Sequence, residues 1–279
     1  MRNIHYWILT ILITLTAVIY QWMTGPTNPK RVKFELSGKE YTTKLTRSLE
    51  TKGNMEVVIS NSADNMMVTL FYRRYPGNDT IQSITATKKG DTYSILLPAQ
   101  PPAGKIAYFV EFNDGTDSAT LGLEKNIIMR FKNPVPAWVL IPHIFLMFIA
   151  MLLSTYVGII AFTKSDKVNK YAILVIITLG IGGLILGPIV QKFAFGAFWT
   201  GWPFGGDLTD NKTLVAFALW LIAWLRNRQK GKRWWYILAA AIMLLVYSIP
   251  HSTAGSEYNQ EKGKVVTGFS INTCEHRVY

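Results

Sequence analysis

Apolar and polar positions follow two different rhythms along this chain. Residues 4–23, "IHYWILTILITLTAVIYQWM", form an almost unbroken apolar run. Residues 30–133 alternate apolar and polar positions in short stretches, and from residue 134 onward long apolar runs return at 138–162, 171–190, 213–225 and 234–250. A helix needs roughly 20 apolar residues to cross about 30 Å of hydrocarbon. Alternation with period two marks a strand with one buried face. The pattern therefore predicts one membrane helix, a β-domain and then four more membrane helices.

Within the alternating region, "MMVTLFYRR" places Val68, Leu70 and Tyr72 on one face, and "KIAYFVEFNDG" does the same for Ile106, Tyr108, Val110 and Phe112. Similar runs are "RVKFEL", "EYTTKLTR", "MEVVIS", "IQSITAT", "DTYSILLP", "DSATLGL" and "NIIMRFK". Turn residues separate them, among them Ser37-Gly38, Gly53-Asn54, Pro76-Gly77 and Pro101-Pro102. Short strands at this spacing predict a β-sandwich. The strand and turn Tyr108-x-Val110-x-Phe112-x-Asp114-Gly115 resemble the late strands of immunoglobulin-like and fibronectin-III-type domains. That resemblance covers residues 30–133 and implies an Ig-like all-β sandwich, without the Cys…Trp…Cys pattern of antibody domains. It implies architecture and no particular activity.

"NPVPAW", residues 133–138, is the linker, because two prolines stop a strand and stiffen the entry to the next element. The run 213–225 poses a problem. Its 13 residues cover only about 20 Å at helical rise. To span, the helix has to start near Leu208 and carry Asp210, Asn211 and Lys212 with it. Thr209 and Asp210 are good N-cap types there. The aromatic, glycine-rich segment "FAFGAFWTGWPFGG", residues 193–206, suits an interfacial or re-entrant cover for that polar end. "GIGGLILGP", residues 180–188, holds glycines inside an apolar run, which predicts close helix packing rather than a dinucleotide loop. Gly187-Pro188 is expected to end or kink that helix. Ala150, Ser154 and Gly158 form a second small-residue row.

Composition sharpens this picture. Of 279 residues, 49% are hydrophobic and only 16% charged, against about 25% charged in a typical soluble domain. Net charge is +12, but residues 30–133 mix 15 Lys+Arg with 11 Asp+Glu. The densest basic run, Arg226, Arg228, Lys230, Lys232 and Arg233, lies between two apolar runs. That is the signature of a cytoplasmic loop, not of nucleic-acid binding. "TKSDKVNK" and Arg2 fall on the same side. The expected arrangement is a bacterial inner-membrane protein with its N-terminus in the cytoplasm. Residues 1–29 form the anchor, 30–133 the periplasmic sandwich, 134–251 a four-helix bundle and 252–279 a polar extracytoplasmic tail. Residues 78–80 and 211–213 would read as glycosylation sequons in a eukaryote. The single cysteine, Cys274, rules out an intramolecular disulfide and any CxxCH haem attachment.

Ionisable residues placed at membrane depth are the candidate chemistry. His143 follows Pro142 inside the second apolar run, and His251 follows Pro250 at the end of the last. Asp207 and Asp210 stand between them in sequence. Two imidazoles could ligate a haem b iron, or bind a transition metal together with Asp207 or Asp210, while Trp199 and Trp202 could wall a haem or quinone ring. The alternative is that these residues cap helices and anchor interfaces, with no cofactor at all. No GxSxG, HExxH, P-loop or kinase set is present. Three functions are compatible with this pattern. The first is a non-enzymatic accessory or complex-subunit protein whose β-domain binds an envelope partner. The others are a redox or metal-handling protein using His143 and His251, and a small transporter.

Overall fold

The structure is a computed structural model. It describes residues 2–51, 54–58, 66–77, 79–90, 92–163, 165–250, 255, 257–260 and 263–266. His251 and Cys274 lie outside the described residues, as does Asn78 of the first sequon.

Helix α1 (Arg2–Thr24) leads into β1 (Lys30–Leu36), β2 (Lys39–Leu45), β3 (Ser48–Glu50), β4 (Asn54–Val58) and β5 (Met67–Tyr75). The strands continue as β6 (Gln82–Thr85), β7 (Thr87–Lys89), β8 (Thr92–Leu96), β9 (Lys105–Asn113), β10 (Ser118–Leu121) and β11 (Ile127–Lys132). β9 is the axis of the larger sheet. One of its edges pairs with β5 along its whole length, and the other is shared by β11 and β10. β6 extends the sheet beyond β5, and β3 adds to β11 in parallel. Gly122, at φ +92°, lets the chain pass from β10 to β11; a Cβ there would come within 3.0 Å of Ile127. The second sheet runs β4-β8-β7, and β1-β2 is a hairpin.

One apolar core joins all three sheets. The faces expected from alternation are the buried ones: Val68, Leu70 and Tyr72 on β5, and Ile106, Tyr108, Val110 and Phe112 on β9. Phe34 of β1 stacks on Phe112 with ring centroids 4.6 Å apart, which fixes the hairpin to the sheet. At the far tip, the Ser37 hydroxyl donates to Asp114 at 2.6 Å. The hydroxyls of Ser37 and Thr116, with two backbone N–H groups, hold the exposed Asp114 carboxyl well below its usual range.

The bundle comprises α2 (Ala137–Ala161), α3 (Val168–Leu179), a π-helical segment (Gly180–Leu186), α4 (Gly187–Phe195), α5 (Leu208–Lys230) and α6 (Trp234–Ser248). Among the described residues, four helices are long and apolar enough to cross a membrane: Ile4–Thr24, Ala137–Ala161, Val168–Phe195 and Leu208–Arg228. The fifth, α6, has 15 residues.

The third span differs from its expectation. Gly187-Pro188 does not end it. The helix widens by one residue per turn at Gly180–Leu186, so that Gly187 N–H bonds the carbonyl of Gly182. That register leaves room for Pro188, whose ring would clash in a regular helix interior. The helix then runs on to Phe195.

Glycines set the helix approaches. A Cβ on Gly182 would lie 2.9 Å from Leu146 of α2, and one on Gly183 would lie 2.6 Å from Thr213 of α5. Gly158 faces α6, where a Cβ would lie 2.7 Å from the Cβ of Ala240. Gly158→Val is therefore expected to push α2 and α6 apart, costing about 1–3 kcal/mol as overpacking. Thermal unfolding of the full chain in detergent checks this. Adding Ala240→Gly should recover part of the loss; a double variant no more stable than the single one would place the clash elsewhere.

α1 meets the bundle through aromatics: Trp7 stacks on Tyr156 at 4.0 Å and lies edge-on to Tyr171. At the bundle end far from the β-domain, Asn169 Oδ1 accepts from Asn227 Nδ2 at 2.5 Å and from Tyr236 at 2.8 Å. Two short strands, β12 (Glu257–Asn259) and β13 (Lys264–Val266), return the chain to the β-domain. Glu257 ion-pairs with Lys105, and Tyr258 N–H donates to Ala103 O at 3.2 Å.

Candidate functional site

The segment from Gly196 to Asp207 folds back over the start of α5. Asp207 is the N-cap: its Oδ1 accepts from Thr209 N–H at 2.8 Å. The sequence suggests Thr209 or Asp210 for that role, but Asp210 is engaged otherwise. Its Oδ2 accepts from Thr200 N–H at 2.7 Å. The Thr200 hydroxyl lies 3.1 Å from Asp207 Oδ2 and 3.2 Å from Asp210 Oδ2, so one hydroxyl proton serves two carboxylates. Gln191 Nε2 donates to the same hydroxyl oxygen.

The other polar residues at this end of α5 are also engaged. Asn211 Oδ1 accepts from Trp202 N–H at 2.6 Å, and Lys212 Nζ donates to Ile249 O at 2.6 Å. Gly201 is required here, since a Cβ would come within 2.6 Å of Asp210 and 2.7 Å of Asn211. The polar start of α5 is thus covered by the aromatic segment and by the end of α6. Asp207, Asp210 and Lys212 are each buried.

Above this cluster stands Arg130 of β11. Alternation along β11 puts Ile127, Met129 and Phe131 in the core and Arg130 on the opposite face, where a charge is ordinarily solvated. Here it is buried, with its guanidinium 4.2 Å from the Phe195 ring centroid. A Cβ on Gly255 would lie 3.4 Å from both Arg130 Nη1 and Asp207 Oδ2, so the returning C-terminal segment closes over both. Burial pushes the Arg130 guanidinium below its usual pKa, and the Asp207 and Glu257 carboxylates pull it back up. It stays a cation. The domains are also joined through the backbone, where Asn133 N–H donates to Ala194 O at 3.0 Å.

Between the β-domain and the bundle lies a cavity of about 400 Å³. Its domain side is polar, formed by Ser48, Glu50, Arg130 and Lys132. Its bundle side is largely apolar, with Leu140 and Met147 from α2 and Val190, Ala194 and Phe195 from α4. Asp207, Asp210 and Thr213 contribute from α5.

His143 also lines this space. Its Nδ1 lies 2.8 Å from Gly182 O. A carbonyl accepts only, so Nδ1 carries the proton and the neutral ring keeps its lone pair on Nε2. The carbonyl that fixes the ring belongs to the π-helical segment. The Gly187-Pro188 irregularity and the histidine orientation are therefore one feature. Among the described residues, His143 makes no further hydrogen bond.

The structure brings His143, Asp207 and Asp210 to one cavity. Among the described residues, however, no group of three or more His, Cys, Asp or Glu side chains stands close enough to hold a metal ion. Trp199 and Trp202 lie outside the cavity wall. Trp199 Nε1 donates to Trp202 O at 3.0 Å, and the Trp202 ring is 69% exposed. Sequence reasoning misses Arg130, Thr200 and Gln191. Arg130 occupies an apparently solvated strand face, and Thr200 and Gln191 carry no spacing signal.

No protein-family model matches the chain, and neither a curated protein nor a solved structure shows significant similarity to it.

Proposed function

We propose that this chain is a five-span integral membrane protein of a bacterial inner membrane, with an extracytoplasmic Ig-like domain, and that it serves as a non-enzymatic accessory subunit holding a small ligand between that domain and its helical bundle. The observation that carries the ligand reading is the junction cavity, whose volume falls in the usual range for small-molecule sites. Its wall is mainly apolar, with a few polar groups converging on it, which is how such sites combine affinity with orientation.

Several features support the membrane arrangement. α5 starts beside the β-domain and ends at Arg226, Arg228 and Lys230, so the basic loop lies at the end of the bundle away from the domain. That agrees with the domain being outside. α6 runs antiparallel to α5, tied to it at Lys212–Ile249 and Trp220–Met243. It therefore accompanies α5 through most of the same thickness despite its shortness. The order β3-β11-β9-β5-β6 in one sheet and β4-β8-β7 in the other, with a parallel β3–β11 pair, supports the Ig-like reading. An enzymatically active extracytoplasmic reporter fused at position 230 would overturn this topology.

The ligand reading is tested with the full chain purified in mild detergent. Native mass spectrometry is expected to show a small-molecule adduct. Val190→Phe, which fills the cavity from α4, should remove that adduct and with it the stabilisation that the bound ligand gives the folded chain. A wild-type protein carrying no adduct, and unchanged in stability by Val190→Phe, would sink it.

A second reading, docking of an envelope protein on the β-domain, is favoured by one observation. A surface groove runs between the edge strand β6 and the segment after β8, lined by Tyr72, Gln82, Ile84 and Leu96. Leu96 there is 71% exposed. An open strand edge beside apolar pockets is the arrangement that β-augmentation uses.

A further inference from the structure

The charges around the junction cavity already answer one another. Glu50, Asp207 and Asp210 line it, against Arg130 and Lys132. Arg130 is matched by Asp207 and by Glu257, which itself pairs with Lys105. Lys132 of β11 lies beside Glu50 of β3 in the strand register. Asp210 accepts from the Thr200 N–H and hydroxyl, and Asp207 accepts from Thr209 N–H. Lys212, buried in α5, feels the Asp207 carboxylate and brings the charges here to three of each sign. A charged ligand group would arrive with no free counter-charge, and an unpaired charge is costly to bury. The head group that fits is uncharged.

His143 defines what that head has to offer. Its Nδ1–H is engaged by Gly182 O at 2.8 Å, so Nε2 can only accept. That nitrogen makes no hydrogen bond among the described residues. Acceptors shielded from water are ordinarily satisfied, and the ligand group that satisfies this one is a donor. An amine would bring a positive charge at neutral pH, which the balanced lining does not call for. A hydroxyl donates without charge.

The bundle side sets the rest of the ligand. Leu140 and Met147 of α2 and Val190 and Ala194 of α4 present flexible, non-aromatic surface. Among the described lining residues the only ring besides His143 is Phe195, and Arg130 covers it at 4.2 Å. A Cβ on Gly183 would lie 2.6 Å from Thr213 Cγ2, so that gap is already filled. Such a wall suits a hydrocarbon chain better than a broad planar ring. Ile141 and Ile144 of α2, adjacent to the lining residues Leu140 and His143, are exposed. On the proposed membrane placement they face lipid. A chain too long for about 400 Å³ can therefore continue along α2 into the bilayer.

Resting on the ligand-site reading above, we propose that the junction cavity binds the hydroxyl head of an uncharged membrane lipid, with the hydroxyl donating to His143 Nε2 and the hydrocarbon chain lying against α2 and α4.

The test is native mass spectrometry of the full chain in mild detergent, with added lipids of matched chains. Dioleoylglycerol supplies the hydroxyl, and its methyl ether keeps everything but the donor. Dioleoylphosphatidic acid and dioleoylphosphatidylethanolamine put charged heads on the same chains. The wild type is expected to take up one dioleoylglycerol and to bind the ether about tenfold more weakly, the effect of one buried hydrogen bond. His143→Leu should bind alcohol and ether alike, and Val190→Phe should bind neither. The alcohol and ether are compared on the wild type, so the test stands even if a variant fails to fold. Geranylgeraniol and its methyl ether, run in parallel, separate two sources of the same chemistry. Tighter binding of the prenol would assign the site to an isoprenoid alcohol, and the reverse to a glyceride. Equal binding of alcohol and ether by the wild type would overturn the proposal; loss of both in Val190→Phe would then leave the ligand cavity standing. Preference for phosphatidic acid or phosphatidylethanolamine would overturn the uncharged head, again without touching the cavity. So would an endogenous adduct on a chain that takes up no probe. A chain that takes up no probe and carries no adduct would overturn both readings.

Discussion

Asp210→Ala is expected to release the segment between Gly196 and Asp207 from α5 and to destabilise the bundle by about 1–3 kcal/mol. The carboxylate accepts from Thr200 N–H at 2.7 Å in a buried setting, and a backbone amide stripped of its acceptor there pays its full desolvation cost. Asp210→Asn separates two explanations. The amide oxygen still accepts from Thr200 N–H, the Thr200 hydroxyl can donate to Asp207 alone, and repulsion between the two carboxylates disappears. If hydrogen-bond geometry holds the segment, Asn should stay within about 1 kcal/mol of the wild type, the size of one ordinary hydrogen bond. Thermal unfolding in detergent gives the stability, and protease cleavage between residues 193 and 206 reports release of the segment. An Asn variant as damaged as the Ala variant would show that the negative charge of Asp210, rather than its hydrogen bond from Thr200 N–H, is what holds the segment.

How much of the fold is legible in the sequence depends on how local each signal is. β5 and β9 are legible because alternation is imposed residue by residue by the pleat, and each has one face in a shared core. β3 is not: three residues in parallel with β11 leave no periodic trace, and their place depends on β11 being there already. The third apolar run reads as 171–190 with an end or kink at Gly187-Pro188, because that pair is a break signal in a regular helix. The π-helical register that absorbs it depends on packing against α2 and α5. The need to cover Asp210, Asn211 and Lys212 is legible from length alone, since a helix that begins late cannot span. Which residues do the covering is not, because Thr200 and Ile249 meet α5 only in three dimensions. His143 stands out as an ionisable residue in an apolar run. That its orientation is set by Gly182 emerges only from the structure, as does the joining of Arg130 to the same cavity from a domain distant in sequence.

Trp220→Ala is expected to cost about 3 kcal/mol, and the value itself bears on how α5 sits. Trp220 is fully buried at the centre of α5. Its indole N–H points at Met243 Sδ, 3.2 Å away, and its ring stacks on Tyr236 with centroids 5.9 Å apart. In a water-soluble core, Phe or Trp to Ala costs about 3–5 kcal/mol, part of it the lost transfer of apolar surface from water and part the void left behind. On the proposed membrane placement the transfer part is missing between helices, because lipid is as apolar as the side chain. What remains is packing, so the cost should fall at the low end of that range. Trp220→Phe keeps a ring against Tyr236 and should lose only about 1 kcal/mol, the size of a modest aromatic contact plus the N–H to sulfur interaction. Met243→Leu, close in volume, should cost less than about 1.5 kcal/mol. Reversible unfolding of the full chain in mixed detergent micelles measures all three. Near-neutral Trp220→Ala would mean that this face of α5 meets lipid rather than α6. The antiparallel α5–α6 pairing that places Lys212 beside Ile249, and the basic loop at the far end, would then have to be rebuilt around a different rotation of the helix.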